Sequence, residues 1–153
     1  MIRKILVALD GSDRSADVLT TATEIAERFD AELFLFRTVT IPPDFPPAAH
    51  VPTGDPLPPF LLNQARTALE EIARGNPRAS AHAPIVAVGR PWKTICTASD
   101  DLDVDLIVIG SHGYGGWDRV LGTNAARVVD RAGRSVLVVH PVAAKGRARE
   151  HVT

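Results

Sequence analysis

The chain has a single cysteine, Cys96, in 153 residues. One thiol closes no internal disulfide, so the fold has to stand on its hydrophobic core, and such cysteine usage fits a reducing compartment. No apolar run approaches the roughly 18 residues that would suggest a membrane span. The opening MIRKILVALDGS carries two cations ahead of a short apolar run, but the run ends at Leu9, before Asp10, with no small-residue cleavage site after it. It reads as a first strand, and the protein as cytoplasmic. An excess of one charge is lacking too. With 17 Lys and Arg against 18 Asp and Glu the net charge is −1, so bulk electrostatics do not call for nucleic acid.

Several motifs are also missing. There is no Cys/His zinc pattern and no G-x-S-x-G elbow for a hydrolase triad. Asp100, Asp101, Asp103 and Asp105 cluster, but without the glycine and terminal glutamate of a calcium loop; they read as a solvated helix end and loop. Neither G-x-x-x-x-G-K-[ST] nor G-x-G-x-x-G occurs. His112 stands between glycines with no orienting partner in the sequence, which argues against general-base use. Enzymatic function is therefore the least supported class.

What is present is the composition of a soluble globular domain, 45% hydrophobic and 23% charged. A domain of this size buries roughly 68–70% of the surface of its unfolded chain. Continuous apolar runs from Lys4 to Leu9, Glu32 to Thr38, Asp105 to Ile109 and Ser135 to His140, with a weaker one from Ala83 to Val88, predict strands buried on both faces. Between them the period becomes helical. Ser12 to Arg28 carries a stripe of Ala16, Leu19, Ala22, Ala26 and Phe29, with Ser12 or Asp13 placed to cap it. Phe60 to Ala73 carries Leu61, Ala65, Ala68, Leu69 and Ile72. Weaker patterns run from Trp92 to Leu102, with Pro91 in the first turn, and from Asn124 to Arg131. Regular β-α alternation predicts a doubly wound α/β domain over 1–142 with a five-stranded parallel sheet. Residues 41–59, IPPDFPPAAHVPTGDPLPP, are too rich in proline for a helix or a central strand and read as a long loop; 143–153 read as a basic tail.

In an open doubly wound sheet ligands bind beyond the carboxyl ends of the strands, where strand order reverses. There the sequence places LDGS after the first strand and GSHGYGGWDRVLGTN after the fourth. Glycines let backbone N–H groups approach phosphate oxygens, and the helix opening near Thr123-Asn124 adds donors and a positive dipole end. A tight turn alone is the other reading. Asp10 likewise fits an Asx turn into the first helix.

Three blocks, ILVALDGSDRSADVL, VGRPWKTICTASDDLDVDLIVIGSHGYGG and VLGTNAARVVDRAGRSVLVVHP, together resemble the universal stress protein family. The resemblance implies strand order 3-2-1-4-5, helices on both faces, and a homodimer formed through the last strand, 135–140. It also implies division into ATP binders and non-binders, the binders carrying G-x2-G-x9-G-(S/T). Here Gly110-Ser111-His112-Gly113 and Gly122-Thr123 supply the two ends, but eight residues rather than nine separate Gly113 from Gly122. Either the bend at Tyr114-Gly115-Gly116 absorbs the deletion, or Gly122 is drawn off the phosphates.

Matched position by position, the family implies Asp10 near ribose and phosphates, acting indirectly on Mg²⁺, and Thr38 backbone groups against the adenine edge. Gly110, Ser111, His112 and Gly113 would meet ribose and the first phosphates. Gly122, Thr123 and Asn124 would hold the outer ones. The implied function is an ATP-binding stress-response switch with at most slow hydrolysis and an unknown protein partner. The alternatives are a dimeric interaction protein without ATP and a binder of AMP or a cyclic nucleotide.

Overall fold

The computed structural model describes residues 1–41, 57–111 and 121–140. Its elements are β1 (Lys4–Ala8), α1 (Ser15–Phe29), β2 (Glu32–Val39), α2 (Leu57–Ala73), α3 (Pro77–Ser80), β3 (Ile85–Val88), α4 (Pro91–Asp101), β4 (Leu106–Gly110), α5 (Thr123–Arg131) and β5 (Ser135–Val139). All four strand pairs are parallel and the order is β3-β2-β1-β4-β5. This is the expected doubly wound topology, with β1 central and β3 and β5 at the edges.

The continuous apolar strands exist because the sheet is covered twice. Ile5, Val7, Leu33, Leu35 and Val108 face Leu19, Ala22 and Ala26 of α1 and Leu69 and Ala73 of α2. The alternate residues Leu6, Phe34, Phe36, Ile107 and Ile109 face Ile95 of α4 and Ala125 and Val128 of α5. Trp92 joins α4 to α5 beneath the guanidinium groups of Arg127 and Arg131, 5.8 and 5.2 Å from its ring, a cation–π arrangement. Among the described residues no helix is long and apolar enough to cross a membrane.

The first helix departs from expectation at its start. Ser12 donates its N–H to Asp10 Oδ1 at 2.9 Å, and its carbonyl accepts from Ser15 N. The D-G-S segment is spent on an Asx turn, so α1 opens only at Ser15, and neither Ser12 nor Asp13 is its cap; Arg14 is, with no side-chain cap bond. The buried stripe is rotated accordingly. Ser15 and Val18 are buried, whereas Ala16 is exposed and Phe29 is 50% exposed. The second helix begins at Leu57 rather than Phe60. Pro58 and Pro59 fall in its first turn, where a missing N–H leaves no helical hydrogen bond unmade. The proline-rich segment is shorter than expected by that turn, and residues 42–56 and the tail lie outside the described residues. Helix α3 was not expected; Asn76 caps it by accepting from Ala79 N at 3.1 Å, with Pro77 following.

At the amino ends of the strands Asp105 accepts the backbone N–H groups of Arg3 and Lys4, at 2.8 and 3.0 Å, locking the start of β1 to that of β4. Those two N–H groups, Arg3 first, hold its carboxyl below the ordinary aspartate range. Asp100 and Asp103 meet Arg134 at 3.3 and 2.8 Å. Because the folded pKa of Asp105 is depressed, its contribution is present above its unfolded pKa, about 3.9, and is lost as pH falls through the folded value. Asp105→Asn should be less stable than wild type at pH 7 in urea unfolding, and the gap should close on acidification below about pH 4.

Candidate functional site

Strand pairing builds the candidate site. Ala8 is level with Phe36 of β2 on one side and Ile109 of β4 on the other. One residue further on, the ends of the three strands bring Leu9-Asp10-Gly11, Arg37-Thr38 and Gly110-Ser111 to the carboxyl edge. Strand order reverses at β1, since α1 leaves toward one face and α5 covers the other. The exits diverge and backbone lines the crevice.

Ser111 N donates to the Val139 carbonyl at 3.0 Å and keeps β4 in register with β5. Gly122 N donates to the Ser111 carbonyl at 3.4 Å, so the two ends of the glycine-rich segment meet across a long, weak hydrogen bond. Gly122 is buried and serves as the N-cap of α5, with no side-chain cap. Ala126 N bonds to the Gly122 carbonyl; the donors before it, at Thr123, Asn124 and Ala125, are the ones a helix start leaves for an outside acceptor. Thr123 and Asn124 are exposed. His112 and Gly113, with Tyr114, Trp117 and Arg119, lie outside the described residues.

Asp10 Oδ1 receives the Ser12 N–H and, at 3.4 Å, the Ser15 hydroxyl. The carboxylate is thereby fixed above the start of α1, as an Asx turn requires. Thr38 is held differently: its Oγ1 lies 2.6 Å from Thr94 Oγ1 of α4, so the side chain binds the sheet to α4 while its backbone stays in the ladder beside Ala87. Sequence reasoning missed Arg37 and Gly11. Gly11 has φ +79°, the left-handed region that favours glycine, and a Cβ there would lie 2.7 Å from Arg37 Cζ and Nη1. The signal for Arg37 was a cation directly after the apolar run LFLF within the strand ELFLFRTV.

A separate open cleft of about 770 Å³ lies between β3 and α4, lined by Phe36, Ile85 and Ala87 with Lys93, Thr97 and Asp101 at its rim. It opens at the sheet edge, with Gly89 of the β3–α4 turn in its wall, and is not lined by the β1–α1 or β4–α5 turns. Burial pushes the Cys96 thiol on α4 above its ordinary pKa, Asp100 adds to this and Arg131 opposes it, which disfavours the thiolate.

Gly110 packs closely on α1, where a Cβ would sit 3.4 Å from Val18 Cγ2. Gly110→Ala should therefore be nearly neutral in denaturant unfolding. Gly110→Val should cost about 1–3 kcal/mol by overpacking against α1, so loss of binding in that variant would reflect packing as well as contact.

The universal stress protein family model matches residues 1–140. Universal stress protein A homolog 2 of Coxiella burnetii is 34% identical over 140 residues, covering 90% of this chain and 94% of the relative. UspA from Lactobacillus plantarum superposes with a TM-score of 0.68 at 29% identity, covering 91% of this chain and 98% of that one. A universal stress protein solved in complex with cAMP superposes with a TM-score of 0.60 at 26% identity, covering 91% and 97%. With the parallel sheet in order 3-2-1-4-5 and the family match running from the first strand through the last, the chain belongs to the universal stress protein family.

Proposed function

We propose that this protein is an adenine-nucleotide-binding module whose nucleotide state alters the partner it engages, and that ATP is its ligand. The observation that carries the proposal is the backbone contact between Ser111 and Gly122 at the switch point. It keeps the uncapped start of α5 beside the end of β4, so a segment one residue short of the family pattern still brings the helix-opening N–H donors of Thr123, Asn124 and Ala125 to the crevice. Gly110 and Ser111, with His112 and Gly113, take ribose and the first phosphates; Gly122, Thr123 and Asn124 take the outer ones through N–H donors and the helix dipole. Thr38 offers backbone to the adenine edge. Asp10 sits across the crevice, where it would act on a phosphate-bound Mg²⁺ through water.

The same residues favour binding over turnover. No residue around the crevice is assigned as a base or to orient an attacking water, which phosphoryl transfer to water needs besides positioned cations. The protein is placed in the cytoplasm, where the nucleotide is available. The exposed edge strand β5, Ser135–Val139, pairs with a second copy, which would cover its unpaired backbone groups. The relative solved with cAMP supports a second reading, in which the crevice takes AMP or a cyclic nucleotide in place of ATP.

Titration of nucleotide-stripped protein with Mg-ATP, AMP and cAMP should give micromolar binding for ATP, roughly −8 kcal/mol. Tighter cAMP or AMP binding would move the assignment to the second reading, and no saturable binding at millimolar ligand would refute both. Sedimentation at micromolar concentration should give a dimer mass; a monomer would remove β5 as the interface.

A further inference from the structure

Arg37 has no place in the family pattern quoted above. It stands in β2, two residues before the strand's end, in line with Leu33 and Leu35, which are buried on the α1 face, and it is itself partly buried. Its side chain leans across the end of β1. The guanidinium Cζ, Nη1 and Nη2 lie 2.7, 2.7 and 2.8 Å from where a Cβ would stand on Gly11, so it rests on bare backbone that only glycine leaves open. Among the described residues it takes part in none of the ion pairs, which join Arg78, His82, Arg131 and Arg134 to carboxylates. A partly desolvated cation with no ion pair among the described residues gains from an arriving anion. Arginine is also the side chain whose planar fork matches phosphate oxygens in pairs.

Its position suits that task. Arg37 and Gly110 flank the end of β1 on opposite sides, two interstrand spacings apart, or about 9.5 Å between backbones. The side chain spans part of that gap by turning onto Gly11. A phosphate held at the N–H donors that open α5, at Thr123 and Asn124, would approach the fork from the other side of the crevice.

Building on the nucleotide reading, we propose that Arg37, seated on Gly11, is the cation that binds the phosphate chain of the ligand, the role a lysine fills in glycine loops that carry one. The start of α5 supplies neutral N–H donors from the β4 side. Arg37 supplies the formal charge from the β2 side.

The test compares adenosine, AMP, ADP and ATP on wild type, Arg37→Gln and Arg37→Lys, with thermal unfolding of each variant to establish that it folds. In Arg37→Gln, affinity for ATP should fall about tenfold or more, the loss of one charge-assisted contact. Adenosine should bind as before, and the wild-type gain in affinity with phosphate number should flatten. Arg37→Lys should recover part of the loss, and the fall of ATP affinity with added salt should be steeper in wild type than in Arg37→Gln. Equal losses for adenosine and ATP, or no loss for either, would overturn the proposal. If wild type bound none of the four, tripolyphosphate would separate the two claims. A rise in unfolding temperature with tripolyphosphate, abolished in Arg37→Gln, would keep the anion site and discard the adenine nucleotide; no such rise would overturn the anion site as well.

Discussion

Everything distinctive about this molecule depends on the central position of β1 in a wholly parallel sheet. With β2 on one side and β4 on the other, the chain leaving β1 turns onto one face and the chain leaving β4 onto the other. Side chains of α1 cannot fill the space between the two exits, because α1 is already committed to Val7, Leu35 and Val108 beneath it. The crevice is left to backbone. Glycine at 11 and 110 is what backbone-lined walls require: one adopts a left-handed conformation under an arginine, the other touches Val18.

The same pairing makes the site rigid below and adaptable above. Below it, Asp105 ties β1 to β4 and Arg134 gathers Asp100, Asp103 and the Val104 carbonyl. Residues buried almost completely, such as Ile5, Leu6, Ile107 and Val108, form the floor. Above it, the end of β4 meets the start of α5 through one long bond, 3.4 Å from Gly122 N to the Ser111 carbonyl. A ligand that accepts from the start of α5 would add to that weak closure, which is how occupancy would be communicated to surfaces around α5 and β5.

The sequence made the sheet legible because doubly covered parallel strands have a simple signature. Runs such as KILVA and LIVIG are apolar at every position, and no amphipathic alternative competes. Boundaries were harder where a short polar segment served two masters. D-G-S resembles a helix cap, yet Asp10 captured the Ser12 N–H first and pushed α1 to Ser15. Leu57-Pro58-Pro59 resembles loop, yet prolines are harmless in a helical first turn. Within the candidate site, glycine spacing pointed to the β4–α5 side. It was silent on Arg37, since a residue's one-dimensional position does not show that its side chain folds back over a neighbouring strand's turn.

The account's central claim is the location of binding at the switch point, and backbone amide shifts followed during titration with Mg-ATP test it most directly. The account predicts that the largest changes fall on Gly11, Gly110, Ser111, Gly122 and Thr123. Changes confined to the β3–α4 cleft, around Ala87, Lys93 and Thr97, would contradict it and move the ligand to the sheet edge.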